Sequence, residues 1–138
     1  MSDVRVFDDM IGQTFERVVA LRPREEREDS WRSNNDDALE FLRADGSGFR
    51  FYHSQDCCES VNIEDICGEL SDLQGSPLVE AEEVSSKGGE PPPPYPDSWT
   101  WTFYKFGTSK GSVTVRWLGE SNGYYSESVS RIALEATP

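Results

Sequence analysis

Basic residues, cysteine and histidine are scarce in this chain. Its 138 residues hold 13 Lys plus Arg against 26 Asp plus Glu, for a net charge of −13, with three Cys and one His. A nucleic-acid backbone or an anionic membrane is excluded as a direct partner, because a surface this acidic repels it. Three cysteines, two of them adjacent at Cys57 and Cys58, make no paired disulfide framework. Neither a signal-peptide core nor an apolar run of membrane length is present. A soluble, reducing, cytoplasmic setting is expected. Missing too are a Walker-type phosphate loop, the G-x-G-x-x-G fingerprint and the H-E-x-x-H zinc motif. The expectation is a protein that is no enzyme and carries no cofactor.

What the chain does have is aromatic residues, seven Phe, five Tyr and four Trp. At this length about two-thirds of the extended surface is buried on folding, so one core suffices and a single domain over 1–138 is expected. The acidity is uneven: residues 51–92 hold 10 acids and a single base, Lys87, whereas 93–138 balance at four of each. Two stretches read as flexible loops. One is the charged segment near 23–37. The other is 85–97, whose Gly pair and four consecutive prolines cannot feed a strand ladder.

Elsewhere apolar and polar residues alternate at period two, the mark of half-buried strands. Residues 14–22, 38–44, 48–54, 78–84, 98–106, 113–117 and 124–134 read this way. Ile66, Leu70 and Leu73 instead fall at helical spacing, behind Glu64 and Asp65 and before Gly75 and Pro77, which predicts one short helix near 64–74. The expected fold class is α+β, mainly antiparallel β-sheet of about six to seven strands with that helix. In the hairpin after Leu42 the expected register sets Leu42 opposite Phe51 and Glu40 beside His53. In the C-terminal hairpin a G-T-S-K-G turn sets Phe103 opposite Val115 and Trp101 opposite Trp117. Trp99, Trp101 and Phe103 then share a face with Val113, Val115 and Trp117, and Thr100, Thr102, Tyr104, Thr114 and Arg116 take the other.

Two groups of residues could carry chemistry. Between His53 and Asp65 lie one His, two Cys, two Asp and two Glu. Zinc needs tetrahedral N and S donors, and adjacent cysteines point apart with no C-x-x-C or H-x-x-x-H spacing beside them. The acids lack the calcium-loop grammar, so no metal is expected. A Cys57 nucleophile with His53 and Asp56 would sit among carboxylates that disfavour a thiolate. His53 paired with Glu40 or with a backbone carbonyl is the plainer outcome. The second group is His53, Tyr104, Arg116, Asn122, Tyr124 and Tyr125: a planar guanidinium with rings able to stack on a base could hold a nucleotide-like ligand. The same residues also serve as cross-strand packing or interface anchors.

At HSQDCCESVNIEDICGEL and at SWTWTFYKF…VRWLGESNGYYSESV, with the opening MIGQTFERV, the chain resembles a family of small acidic domains of unknown function found mostly in bacteriophages and prophages. Its departures are the charged loop at 23–37 and the proline insertion near 91–96. The resemblance implies an accessory protein that binds a host factor and supplies no mechanism. The leading expectation is a non-enzymatic inhibitor whose acidic face, Asp56, Glu59, Glu64, Asp65 and Asp72, docks on a basic host protein, anti-defence in character. The alternative is a binder that sequesters a nucleotide-like signal, in a pocket that could lie between protomers of a homo-oligomer.

Overall fold

The alternation of the sequence becomes strands nearly everywhere in the computed structural model, which describes residues 2–21, 37–53, 60–87, 98–121 and 127–136. They are β1 (Ser2–Val6), β2 (Arg17–Leu21), β3 (Ala38–Leu42), β4 (Gly48–Tyr52), β5 (Ser60–Cys67), β6 (Glu80–Lys87), β7 (Ser98–Thr108), β8 (Gly111–Ser121) and β9 (Ser130–Leu134). A first sheet runs β1-β6-β7-β8-β5 and a second β2-β3-β4-β9. All neighbours pair antiparallel.

The sheets stack face to face through large side chains, which period-two alternation delivers to one side of each strand. From β7, Tyr104 and Phe106 meet Phe51 and Phe41 across the gap, at centroid distances of 4.8 and 4.6 Å. Val113, Val115 and Trp117 of β8, Val61 and Ile63 of β5, and Val18 and Leu39 of the second sheet complete the layer. Phe7, Met10 and Phe15, from the connection between β1 and β2, close one flank with Leu73 and Leu78. Gln74 ties that flank to the second sheet, its Oε1 accepting from Val18 N at 2.9 Å.

The antiparallel sheet is as expected; the helix is not. Residues 64–67 complete β5, and only Leu70–Leu73 winds, as a 3-10 turn. A bulge is the cause. The register of β5 on β8 slips between Ile63 and Asp65, so Glu64 is an extra residue. The inward positions become Val61, Ile63 and Ile66, and that three-residue step imitates helical spacing. Among the described residues, nine strands replace the six or seven expected. Ser85–Lys87, read as loop, finish β6 instead, because the prolines begin only at Pro91. The remainder of that segment, and the charged loop up to Asp36, lie outside the described residues.

Both expected hairpin registers are corrected. Leu42 pairs with Gly48 and Glu40 with Arg50, so Glu40 and His53 fall on opposite faces of the second sheet. The turn is wider than D-G-S-G: Arg43 N donates to Ser47 O at 2.7 Å, and Asp45 Oδ1 accepts from Ser47 N at 2.9 Å. In the C-terminal hairpin Thr108 pairs with Gly111, leaving only Ser109 and Lys110 in the turn. Phe103 accordingly faces Arg116, Tyr104 faces Val115 and Trp101 faces Leu118. A one-residue slip exchanges the two faces of a strand. Thr100, Thr102 and Tyr104 thus share the core side with Val113, Val115 and Trp117, and the Trp99, Trp101 and Phe103 column turns outward.

Tyr104 is a buried polar group within this core, and its hydroxyl donates to Glu83 Oε2 at 2.5 Å. Burial, followed by the Glu83 charge, pushes its pKa far above the usual tyrosine value. The folded state then holds a proton that the unfolded chain releases above about pH 10, so this contribution is complete below that pH and declines above it. Tyr104→Phe should flatten the loss of melting temperature between neutral and strongly alkaline buffer. An alkaline slope equal to that of the wild type would contradict this.

The connections divide between the two ends of the sheets. Leu21, Ala38, Tyr52 and Ser130 form one cross-sheet row, and Lys87, Ser98, Ser121 and Ser60 lie at the corresponding end of the first sheet. The connections 22–37, 53–59, 88–97 and 122–129 all leave from this end, and the other holds the two hairpin turns together with 7–16 and 68–79, whose Phe7, Met10, Phe15, Leu73 and Leu78 pack into the core. Among the described residues no helix is long and apolar enough to cross a membrane.

Candidate interaction surface

The corrected register of β7 and β8 places large side chains on the outside of the first sheet. One row crosses all five strands as Val4, Val84, Phe103, Arg116 and Asp65. Beside it run Ser86, Trp101, Leu118 and Asn62, then Trp99, Glu120 and Ser60. On the other side lie Val6, Glu82, Lys105, Thr114 and Cys67. Trp99, Trp101 and Phe103 are half-buried, and the Arg116 guanidinium lies over the Trp101 ring, 5.1 Å from its centroid. Arg116 Nε is enclosed and makes no hydrogen bond among the described residues, so the ring positions this side chain. Trp and Arg grouped on one sheet face are what protein interfaces select for their strongest contacts.

Acidic residues border this face at β5, the sheet edge. Glu64 is thrown out by the bulge and Asp65 stands opposite Arg116, both exposed. Cys67 donates its thiol proton to Asp65 Oδ2 at 3.3 Å. That hydrogen bond, then the carboxylate charge, raises the thiol pKa, so Cys67 stays protonated and unsuited to attack. Of the expected contact residues, then, the fold groups Glu64 with Asp65. Asp72 belongs to the end that holds the β7–β8 turn, its carbonyl accepting from Thr108 Oγ1 at 2.5 Å. Asp56 and Glu59 lie outside the described residues.

The expected nucleotide-like pocket is not assembled from the residues that are described. Tyr104 points into the core and Arg116 points away from it, on opposite faces of one hairpin. His53 is 3% exposed, and its Nδ1 lies 2.8 Å from the Ser128 carbonyl oxygen, the backbone partner expected for it. Asn122, Tyr124 and Tyr125 lie outside the described residues. Among the described residues, no three His, Cys, Asp or Glu side chains converge as metal ligands would.

A polar cluster at the end where Leu21, Lys87 and Ser121 finish their strands joins the two sheets. Glu127 Oε1 accepts from Thr100 Oγ1 at 2.7 Å, and its Oε2 accepts from Ser121 Oγ at 2.5 Å. Gly119 leaves the necessary space, since a Cβ there would come within 2.4 Å of the Glu127 carbonyl. Asp37 Oδ2 accepts from Ile63 N at 2.9 Å. Residues 119–123, G-E-S-N-G, spell the letters of a hydrolase nucleophile turn, a pattern easily passed over in the sequence. That chemistry requires a strand running into a helix and a histidine partner. Here Ser121 ends an antiparallel strand and its hydroxyl serves Glu127. Sequence reading also misses the outer Trp99, Trp101 and Phe103 column, whose one available signal is the two-residue Ser109-Lys110 turn.

Comparison with known proteins adds one match. A family model described as a domain of unknown function, DUF7448, matches residues 8–131. No curated protein and no solved structure matches the chain.

Proposed function

The chain belongs to the DUF7448 family of domains of unknown function, and we propose that it is a non-enzymatic binding protein for a basic macromolecule. The carrying observation is the junction of an acidic sheet edge, Glu64 and Asp65, with the Trp101, Phe103 and Arg116 face, on a chain of net charge −13. Each part has a physical task. The carboxylates attract a cationic partner over about a Debye length, roughly 8–10 Å at ordinary ionic strength, which raises the association rate. The aromatic face supplies the desolvated contact that slows release. The proposal extends to a phage-encoded inhibitor acting in the host cytoplasm on a defence protein, and this finer part is supported by the family resemblance alone.

Charge reversal tests the proposal. Wild type and Glu64→Lys/Asp65→Lys are immobilised and exposed to host extract at low and at molar salt. The expected result is a basic protein retained by the wild type at low salt, released at molar salt and not retained by the variant. A partner that remains at molar salt and also on the variant would sink the electrostatic mechanism.

A further inference from the structure

We propose that β1 is a self-pairing edge: it aligns antiparallel with β1 of a second copy, about a two-fold axis through Val4, and joins two five-stranded sheets into one. β6 pairs with one side of β1, and no strand among the described residues pairs with the other. Such an edge presents a row of backbone donors and acceptors. Neither proline nor a bulge interrupts Ser2–Val6, and Val4 and Val6 are 62% and 50% exposed.

The sequence of the strand selects the register. A two-fold axis perpendicular to a continuous sheet keeps each residue on its own face, so the axis must pass through a residue. Centred on Asp3, the pairing sets Asp opposite Asp, and centred on Arg5 it sets Arg opposite Arg. Centred on Val4, it sets Val4 opposite Val4, Asp3 opposite Arg5 twice, and Ser2 opposite Val6 twice. That register alone among the three sets opposite charges against each other, and it pairs the exposed Val4 with its mate. The outer row Asp65, Arg116, Phe103, Val84 and Val4 then continues into its symmetry mate through the valine pair. The two acidic β5 edges end at opposite extremes, nine strand spacings apart, or about 43 Å at roughly 4.8 Å each. Repulsion between them is screened at that distance. This dimer does not depend on the binding function proposed above, since it uses the opposite edge of the sheet.

Sedimentation equilibrium of the full chain, up to a few hundred micromolar, reads the association. The wild type should dimerise, and Arg5→Asp, which sets Asp opposite Asp twice, should weaken dimerisation by about tenfold or more. Asp3→Arg/Arg5→Asp reverses both pairs and should restore it. Arg5 also stacks on Phe7 within its own chain, 5.0 Å from the centroid, and the double swap does not return that contact. Rescue therefore reports the pairing between chains. Should Arg5→Asp fail to fold, Val4→Lys at an exposed position sets Lys opposite Lys and should also yield a monomer. A monomeric wild type, a variant that still dimerises, or a double swap that stays monomeric overturns the proposal.

Discussion

Phe51→Ala should cost about 3–5 kcal/mol of unfolding free energy, the range for removing a large buried ring. Phe51 is fully buried and meets four rings, Phe7, Phe41, Tyr104 and Phe106, at centroid distances of 5.5, 6.0, 4.8 and 5.7 Å. Two of those partners belong to the facing sheet, so the truncation opens a hole between layers that neither can close without unpairing strands. Against a typical total of about 5–15 kcal/mol, the variant should be close to unfolded at moderate urea. Phe103→Ala is the informative comparison. On the outer face it should cost no more than about 1 kcal/mol. Had Phe103 paired with Val115, it would face the core and its truncation would be the costly one. Urea melts of the two variants thus test the β7–β8 register as well as the core, and equal losses would refute the inside-outside assignment.

Gly48→Ala should be nearly as damaging for a different reason. The residue has φ of +155°, and a Cβ there would lie 1.7 Å from the Phe41 carbonyl oxygen and 2.8 Å from its carbonyl carbon. Both atoms are backbone, so no rotamer change relieves the overlap, and β3 and β4 must separate where Leu42 pairs with Gly48. Backbone strain alone costs about 1–3 kcal/mol, and the lost pairing adds to it. Gly12→Ala separates the two contributions. Gly12 has φ of +87° with nothing within 4 Å of an added Cβ, so it should show only the conformational penalty of about 1–2 kcal/mol. If Gly48→Ala lost no more stability than Gly12→Ala, the close approach of Phe41 would be wrong.

Strands were legible in this sequence where large apolar residues alternate with small or polar ones, as in the Leu39, Phe41 and Phe49, Phe51 pairs, because alternation encodes a strand with one face toward the core. Register was not, since it depends on which residues occupy the turn. Ser109 and Lys110 close the β7–β8 hairpin by themselves, while Arg43 to Ser47 form a wider turn that Asp45 organises. The same letters accommodate either choice, and one residue of difference moved Trp101 from the face of Val115 and Trp117 to the opposite one. β5 was hidden by its own bulge. Of the candidate site, the composition showed the acidity and even Glu64 and Asp65, but whether they adjoin an aromatic face follows from pairing with β8, a contact made more than fifty residues downstream at Arg116. Tyr104 and Arg116 looked like neighbours for the same reason that they are not: parity along a strand is invisible until a partner fixes which side is in.

The segregation of strand ends has an evolutionary corollary. A residue inserted between Leu42 and Gly48, or between Thr108 and Gly111, shifts a ladder and with it every inward side chain that follows. Between Leu21 and Ala38, or between Lys87 and Ser98, chain length can drift while the layered core is unchanged. One pole of this protein is therefore open to diversification and the other is locked. New specificities, a grafted peptide or a tolerated fusion should accumulate at the first, much as recognition loops vary on the constant frame of an antibody domain.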